Sequence, residues 1–215
     1  MPPTIHQQTA RLGLAISSPI RLRALNLLAQ GPWRVGELAE ELGESIASTS
    51  AHLKVLRAVH MVAMEKSGRD VWCKVASPDV IQLLSAAHRA ATALLPDLQE
   101  AQAKLNDGFV LQDDDFHKLS ADVTNGRATL IDLRPAREFD AGHLPGAQSW
   151  PYDTLTKSQV APLKNSPPVI SYCRGPWCLK ARLGVQALNR FGIPAKRLPL
   201  GVVEWQAAGF TLSQS

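Results

Sequence analysis

The sequence predicts two domains, an N-terminal, mainly helical winged helix-turn-helix and a C-terminal α/β domain with a central parallel sheet. At 215 residues, the chain has the length of two domains of roughly 100 residues each. Its first half combines helical apolar spacing with two alternating strand patterns. Its second half alternates short apolar strands with helical segments, as parallel-sheet domains do. We therefore place the domains at residues 1–105 and 116–215, with a linker at 106–115.

Composition indicates an ordinary globular protein, with 45% hydrophobic residues, 20% charged residues and a net charge of +4. No run approaches the roughly 18 continuous apolar residues that span a bilayer. The chain starts without the basic patch and apolar core of a secretory signal. We therefore expect a cytoplasmic protein without a membrane partner. Its three cysteines are then more often reactive or buried than cross-linked.

Three helical segments predict the helix-turn-helix. The first begins at a capping serine and a proline, Ser18-Pro19, and ends near Gly31. The second closes at Gly43 and has an apolar face with the spacing i, i+3, i+4, i+7, formed by Val35, Leu38, Ala39 and Leu42. The third runs from about Ser45 to Val59, and its predicted inward residues are Ile46, Leu53 and Leu56. A short helix, a glycine turn and another helix form a helix-turn-helix.

The outward face of the third helix carries short hydrogen-bonding side chains on one stripe. The stripe consists of Ser45, Ser48, Thr49 and His52. Lys54 and Arg57 are nearby, so these side chains could approach base edges in a major groove while the two cations meet phosphates. An ordinary solvated face rich in serine explains the stripe equally well, and the helix alone does not decide between the two interpretations.

Two alternating runs after this helix predict a β-hairpin. They are Val62–Lys66 and Val71–Val75, with Ser67–Asp70 as the turn. A helix-turn-helix followed by a hairpin is a winged helix, with Lys66 and Arg69 at the tip of the wing, near DNA backbone or minor groove.

At this point the first half resembles the ArsR/SmtB family of bacterial repressors. The residues that carry the resemblance are Ser18-Pro19-x-Arg21-Leu22-x-x-Leu25, Glu37-Leu38-Ala39, Ser50-Ala51-His52-Leu53-Lys54-Val55-Leu56 and Gly68-Arg69. The resemblance implies a homodimer that pairs through terminal helices, here about 7–16 and 78–104, and binds a palindromic operator in double-stranded DNA.

Metal sensing, which is known in this family, is not supported by the residues present. The stretch Trp33–Leu38 lacks the cysteines of the arsenic-sensing members, and the histidine and acids of the last predicted helix have unsuitable spacing. We therefore predict neither a metal site nor a cofactor. Cys73 lies in a predicted wing strand, where a lone cysteine is expected to be buried and inert.

In the second half, a cysteine follows a predicted buried strand, Val169–Tyr172, at the start of a tight loop that opens a helix. The loop reads Cys173, Arg174, Gly175, Pro176, Trp177, Cys178. Loop amides and a helix N-terminus hold anions, and a thiolate or a persulfide is such an anion. We therefore expect Cys173 to ionise with help from Arg174, and Trp177 either to shield the sulfur or to pack the loop.

A second strand, at 128–134, ends in the charged residues Asp132 and Arg134. The carboxyl ends of parallel strands form the active-site edge of such a sheet, so this pair belongs to the candidate site. We expect the two residues to form a structural ion pair at its edge in preference to acting in acid–base catalysis.

This half resembles the rhodanese homology domain. Its matching motifs are Asp132-x-Arg134, Glu138-Phe139, Gly142-His143-x-Pro145-Gly146-Ala147, the cysteine loop and Gly201-x-x-Glu204-Trp205. The resemblance implies sulfane sulfur transfer through a persulfide on Cys173, supplied by a small donor such as thiosulfate or a persulfide. Related phosphatase-like domains have a loop one residue longer, which argues against phosphatase or arsenate reductase activity.

Cys178 is unusual for a generic rhodanese. It could attack a Cys173 persulfide, which gives a disulfide or a relayed sulfur, or be a small core residue at the start of the helix. A zinc site is not expected, because no other cysteine lies nearby in the sequence to complete the ligands.

These inferences lead to two functional hypotheses. The first is a dimeric DNA-binding transcription regulator, a repressor, whose rhodanese domain senses or transfers sulfane sulfur through Cys173. The alternative is a sulfurtransferase whose DNA-binding domain only localises or autoregulates it. A third interpretation, an idle ligand-binding module, is disfavoured because Cys173 is present.

Overall fold

The computed structural model describes residues 3–105, 110 and 116–214. The chain divides into two compact units, with the division between Leu84 and Ser85. The predicted linker at 106–115 lies outside the described residues except for Val110, and the predicted domain limits at 105 and 116 stay predictions. Within the described part of the chain, no helix has both the length and the apolar character needed to cross a membrane.

The first unit is a winged helix-turn-helix, as predicted. Its elements, with the helix that runs across the division, are α1 (Ile5–Ile16), α2 (Pro19–Leu28), β1 (Trp33–Arg34), α3 (Val35–Leu42), α4 (Ile46–Ala58), β2 (Val62–Ser67), β3 (Asp70–Val75) and α5 (Pro78–Leu94). The three strands form an antiparallel sheet in the order β1-β3-β2.

The predicted boundary residues of the first helices have the expected conformations. The Ser18 side chain caps α2 by accepting a hydrogen bond from the amide of Arg21. Gly43 ends α3 in the left-handed region at φ 70°, where a residue with a Cβ is strained. The chain can therefore turn tightly from α3 into α4.

Strand β1 was not predicted from the sequence. Trp33 lies in this two-residue strand, opposite Cys73. Its indole Nε1 donates a hydrogen bond to the carbonyl of Leu27 at 3.0 Å. A two-residue strand has no periodicity of its own, so only its partner strand defines it.

The inner face of α4 is predicted correctly at Leu53 and Leu56, which are buried. Ile46 was predicted to face inward, but 62% of it is exposed. It is the first residue of the helix, where the side chain lies beyond the part of α4 that packs on the core.

The predicted long helix at 78–104 is interrupted. It consists of α5 and a second helix, α6 (Pro96–Leu105), with Leu95 between them. Proline disfavours helical conformation in the residue before it and lacks the amide that would continue the helix, which explains the break before Pro96.

The second unit contains the predicted α/β domain with a parallel sheet. Its further elements are α7 (Phe116–Thr124), β4 (Thr129–Asp132), α8 (Ala136–Ala141), β5 (Gln148–Ser149), β6 (Val169–Tyr172), α9 (Leu179–Arg190), β7 (Ala195–Arg197) and α10 (Val202–Ala207). Two short 3-10 helices, Tyr152–Thr154 and Ala161–Asn165, lie between β5 and β6. The strands are parallel in the order β5-β4-β6-β7.

Two separate apolar clusters cover the sheet. Ile131 belongs to one cluster, with Val185 of α9, and the neighbouring Leu130 belongs to the other, with Leu119 of α7 and Trp205 of α10. Successive strand residues point to opposite faces, so helices bury β4 on both sides. The carboxyl ends of β4 and β6 are consequently held side by side at one edge of the sheet.

Candidate functional site

The cysteine loop begins where the central strand β6 ends and finishes where α9 begins. Cys173 directly follows Tyr172, and Cys178 is the N-cap residue of α9. The amide of Cys178 donates to the carbonyl of Gly175 at 3.2 Å, which closes the loop. Gly175 has φ 140°, a conformation that favours glycine. The six residues from 173 to 178 therefore form one tight turn between strand and helix.

Gly201 holds this loop from the other side. A Cβ atom at position 201 would lie 2.6 Å from the carbonyl oxygen of Cys173 and 2.9 Å from the amide nitrogen of Gly175. Its own φ is −141°, so close approach, and not backbone strain, requires the glycine. The adjacent Glu204 accepts a hydrogen bond from the Gly201 amide at 2.8 Å.

The two sulfur atoms of the loop are in direct contact. The Sγ atoms of Cys173 and Cys178 lie 2.9 Å apart, and both cysteines are reduced. A disulfide bond is about 2.05 Å long, so a small movement would allow one to form. Cys173 is 2% exposed, whereas Cys178 is only partly buried.

The two thiols ionise very differently. The contact with Cys173 lowers the pKa of Cys178 to about 6, helped by the amides of Ala181, Arg174 and Lys180 and opposed by burial. The contact with Cys178 and burial raise the pKa of Cys173, and the charge of Asp132 adds to this. The contact between the two thiols therefore shifts their pKa values in opposite directions. The expectation that Cys173 is the residue that ionises stays a prediction.

Arg174 does not direct its charge at the sulfur either. Its guanidinium forms an ion pair with the buried Glu138, with 2.5 Å between Nη2 and Oε1. Its Nε donates to both oxygens of the same carboxylate. The charge of Arg174 is thus compensated, and only its backbone amide lowers the pKa of the two thiols.

Asp132 and Arg134 form the predicted ion pair. Both side chains are fully buried, with 2.6 Å between Nη2 and Oδ2, and Arg134 also donates to the carbonyl of Gly142 at 2.7 Å. Because both side chains are buried and also hydrogen-bond to the backbone, the pair fixes the conformation of the chain after β4. Its contribution to the sulfur site is the negative charge of Asp132.

Pro176 and Trp177 complete the loop. The carbonyl of Pro176 accepts a hydrogen bond from the buried Arg197 at 3.1 Å. Both residues line a cavity of about 490 Å³ within the second unit, together with Phe116 and Glu204. The two predicted roles of Trp177, shielding the sulfur and packing the loop, stay predictions.

The rhodanese-like motifs include Glu138, Gly201 and Glu204, for which the sequence predicted no role. Glu138 compensates Arg174, Gly201 allows the loop to approach, and Glu204 caps the following helix. Burial raises the pKa of Glu204. The sequence motif was the only indication of their importance, because Glu138 and Gly201 contact residues that are distant in the sequence.

On α4, the predicted DNA-reading stripe needs one correction. Thr49 is fully buried and faces the core, because it lies on the same side of the helix as Leu53 and Leu56. Ser45 is the N-cap residue of α4, and its side chain accepts a hydrogen bond from the amide of Ser48 at 3.1 Å. Ser48 and His52 are partly exposed, and Lys54 and Arg57 are fully exposed.

The wing residues lie where the sequence places them. Lys66 and Arg69 are exposed on either side of the hairpin turn, in which Gly68 has φ 61°. In the same hairpin, Lys74 is paired with Glu65, and Asp70 is paired with Arg34.

Comparison with known proteins identifies both parts of the chain. The family described as bacterial regulatory protein, arsR family, matches residues 18–63, and the rhodanese-like domain matches residues 115–208. The HTH-type transcriptional regulator Rv0324 of Mycobacterium tuberculosis is 31% identical over 210 residues, which cover 96% of this chain and 91% of that protein. The chain belongs to the ArsR family.

Other bacterial regulators resemble a shorter stretch of this ArsR-family protein. The HTH-type transcriptional regulator NmtR of M. tuberculosis is 35% identical over 80 residues, which cover 37% of this chain and 67% of that protein. A solution structure of the winged helix-turn-helix domain of Mb0332 from Mycobacterium bovis has 30% identity and a TM-score of 0.41, covering 43% of this chain and 86% of that one. The predicted resemblance to ArsR repressors and to rhodaneses is confirmed.

Proposed function

We propose that this ArsR-family regulator is a cytoplasmic, homodimeric, DNA-binding repressor that senses sulfane sulfur through the loop of its rhodanese-like domain. The observation that carries the proposal is the 2.9 Å contact between Cys173 and Cys178 in that loop. Two thiols at this distance form an acceptor for reactive sulfur, and the same chain carries a DNA-binding fold.

Exposed polar and basic groups support DNA binding. Ser45, Ser48 and His52 are the accessible members of the α4 stripe, and Lys54 and Arg57 lie beside them. Hydrogen-bonding side chains on such a helix read base edges, and cations around them neutralise phosphates. The exposed wing cations extend this basic surface.

Exposed apolar side chains support a homodimer. Ile5 and Leu14 on α1 are 76% and 68% exposed, and Leu94 and Leu95 at the end of α5 are 76% and 50% exposed. Large apolar side chains exposed on helices in this way are typical of surfaces that another protein covers. In a two-fold homodimer, the same helices of a second copy of the chain would cover these side chains.

The proposed sensing step is the transfer of one sulfur atom to the loop. A loop thiolate attacks the outer sulfur of a donor R–S–SH, the donor S–S bond breaks, and R–S⁻ leaves with the electron pair. The loop then carries a persulfide, in the first instance on Cys173. The charge and size of the persulfide would change the contacts between the loop and its surroundings. If the protein has two states with different affinity for DNA, this change would shift the balance between them and so alter repression.

The test is a DNA-binding titration with reduced full-length protein, a DNA fragment selected by the protein, and cysteine persulfide as donor. We expect the donor to change the affinity of the wild type and to leave the Cys173→Ser/Cys178→Ser double variant unchanged. Equal affinity of the wild type with and without donor would remove the sensing proposal.

DNA recognition is tested separately. Lys66→Ala/Arg69→Ala should weaken binding and reduce the slope of affinity against salt by roughly 1 to 2, because two phosphate contacts are lost. Lys196→Ala, which removes one exposed cation of the rhodanese-like domain, is the control and should leave the slope as it is.

The second candidate function is sulfurtransferase catalysis. The observation that favours it is the six-residue cysteine loop in a rhodanese-like domain. Under this hypothesis the protein turns over thiosulfate and cyanide, Cys173→Ser abolishes turnover, and the donor does not affect DNA affinity. Turnover without an effect on DNA binding would favour the enzyme over the sensor.

A further inference from the structure

A cavity of about 490 Å³ lies in the second unit, next to the cysteine loop. Pro176 and Trp177 of the loop line it, whereas neither Cys173 nor Cys178 does. Small-molecule sites in proteins enclose roughly 300 to 1,000 Å³, and one water molecule takes up about 30 Å³. The cavity therefore has room for a small organic molecule, and its lining does not include the two thiols that the proposed function uses.

Helix α5 presents a stripe of polar side chains to the cavity. The stripe has the spacing i, i+3, i+4, i+7 and consists of Ser85, His88, Arg89 and Thr92. A helix that packs on a protein core usually places apolar side chains on the face that it turns inward. A hydrogen-bonding stripe at this position is therefore suited to a polar ligand. Burial lowers the pKa of His88, so this residue is neutral at about pH 7 and adds hydrogen-bonding capacity without charge.

The lining also carries one cation and one anion. The guanidinium of Arg89 donates a hydrogen bond to Oγ of the buried Ser85 at 2.7 Å, which orients it. The carboxylate of Glu204, on α10, accepts a hydrogen bond from the Gly201 amide at 2.8 Å. Among the residues that the structure describes, neither charged group forms an ion pair. Burial raises the pKa of Glu204, and the charge of Arg89 partly opposes this rise, so the two charges act on the same space.

Apolar side chains form another part of the wall. Phe116 is held by edge-to-face contacts with Trp205 and Phe210, with 5.3 Å and 5.4 Å between the ring centroids. Trp177 and the buried Leu200 line the cavity as well. Aromatic rings that are fixed in this way provide a preformed surface for an apolar or aromatic group.

We infer that this cavity is a binding site for a small zwitterionic organic molecule, of the kind of an amino acid or a short peptide. The ligand carboxylate pairs with Arg89, its ammonium group pairs with Glu204, and its apolar body lies against Phe116 and Trp177. The inference goes beyond the proposed function and does not depend on it, because no sulfur atom takes part in the binding.

Other classes of ligand fit the lining less well. An anion without an ammonium group would face the Glu204 carboxylate, and a cation without a carboxylate would face the Arg89 guanidinium. An apolar molecule would displace water from both charges and return no hydrogen bond to them, which is unfavourable. A zwitterion provides a charge-assisted hydrogen bond to each of the two groups.

The test is calorimetric titration of the reduced, full-length wild type with sulfur-free probes. The probes are phenylalanine and the dipeptide glycyl-phenylalanine, each in its free form, with an acetylated amine and with an amide in place of the carboxylate. We expect at least one free form to bind, one molecule per chain, and both of its blocked forms to bind at least roughly tenfold more weakly, because each loses a charge-assisted hydrogen bond. Comparison of the two free forms separates an amino acid from a peptide as the ligand. No binding of either free form at millimolar concentration, or equal binding of free and blocked forms, would overturn the inference and leave sulfur sensing intact.

Two variants locate the two charged contacts. Arg89→Met keeps an unbranched side chain but removes its charge, and it should abolish the preference for the free carboxylate over the amide. Glu204→Gln keeps an oxygen that accepts the hydrogen bond from the Gly201 amide, and it should abolish the preference for the free amine over the acetylated form. Arg190→Met, which removes an exposed cation of α9 outside the cavity lining, is the matched control and should bind the probes as the wild type does. An unchanged preference in either folded cavity variant would contradict the assigned contacts and overturn the inference.

Discussion

Glu138 neutralises Arg174, the residue that follows the first loop cysteine. The carboxylate is 1% exposed and the guanidinium side chain 26% exposed, with 2.5 Å between Oε1 and Nη2. The arginine of the cysteine loop is thus used to anchor the loop to α8, and its charge is not available to a sulfur anion. This pairing leaves the helix N-terminus and the loop amides as the favourable electrostatic groups near the two thiols.

Removing the guanidinium should destabilise the second unit. Arg174→Ala leaves the Glu138 carboxylate buried without its cation, which we expect to cost about 2 kcal/mol, between the values for exposed and fully buried pairs. Thermal unfolding of the full chain measures this. Glu138→Gln/Arg174→Ala, which removes both charges, should recover part of the loss; a double variant as unstable as the single one would contradict the account.

Adding one methyl group at Gly201 should displace the cysteine loop. A Cβ there would meet the Cys173 carbonyl oxygen and the Gly175 amide nitrogen, both backbone atoms that cannot rotate away. We expect Gly201→Ala to lower the free energy of unfolding by about 1 to 3 kcal/mol and to slow sulfur uptake by the loop. Gly36→Ala, with open space around the new methyl, is the control and should change neither quantity by a comparable amount.

Replacing Thr49 should stabilise the first unit without loss of DNA binding. Its Oγ1 is buried and has no hydrogen-bond partner among the described residues. Thr49→Val substitutes an apolar group of the same shape, so the free energy of unfolding should rise by about 1 kcal/mol. Urea unfolding and a DNA titration check the two expectations. A loss of DNA affinity comparable to that of Ser48→Ala would show that Thr49 reaches the DNA after all.

Cys73 should not react in the folded protein. Its thiol is fully buried and donates to the carbonyl of Trp33 at 3.1 Å, and burial raises its pKa to about 11. Because the folded state holds this proton more tightly than the unfolded chain, ionisation of Cys73 lowers stability as the pH rises from about 8.5 towards that value. Alkylation at about pH 8 should therefore leave Cys73 unmodified until urea unfolds the chain. Labelling of Cys73 in the native protein, at a rate similar to Cys178, would show that this strand opens readily.

Short sequence patterns were sufficient to predict most of the helices and strands. Ser18 and Gly43 are residue types typical of helix ends, and they cap α2 and α3. The apolar patterns of β2, β3 and β6 predict strands without knowledge of the neighbouring strands. The errors occurred where local spacing was ambiguous. Thr49 and Ile46 both fit a helical stripe, and only the packing of α4 on the core decided that the first is buried and the second exposed.

The position of the cysteine loop could be predicted from the sequence, but the charged groups around its two thiols could not. A cysteine at the end of a buried strand, followed by a helix, is visible in the chain itself, as are the two cysteines at the limits of the loop. Which thiol holds the charge depends on distances between residues that are far apart in the sequence. Glu138 removes the charge of Arg174 from across the fold, and Asp132 lies on a neighbouring strand.

The sequence alone determined the two fold types, the parallel sheet, the winged helix and the cysteine loop, because apolar periodicity, caps and turn residues act over a few positions along the chain. Only the tertiary structure decided that the two sulfur atoms touch, that Cys173 is buried while Cys178 is only partly buried, and that Thr49 faces the core. The physical reason is that burial and charge compensation depend on contacts between distant segments, which a pattern within one segment does not contain.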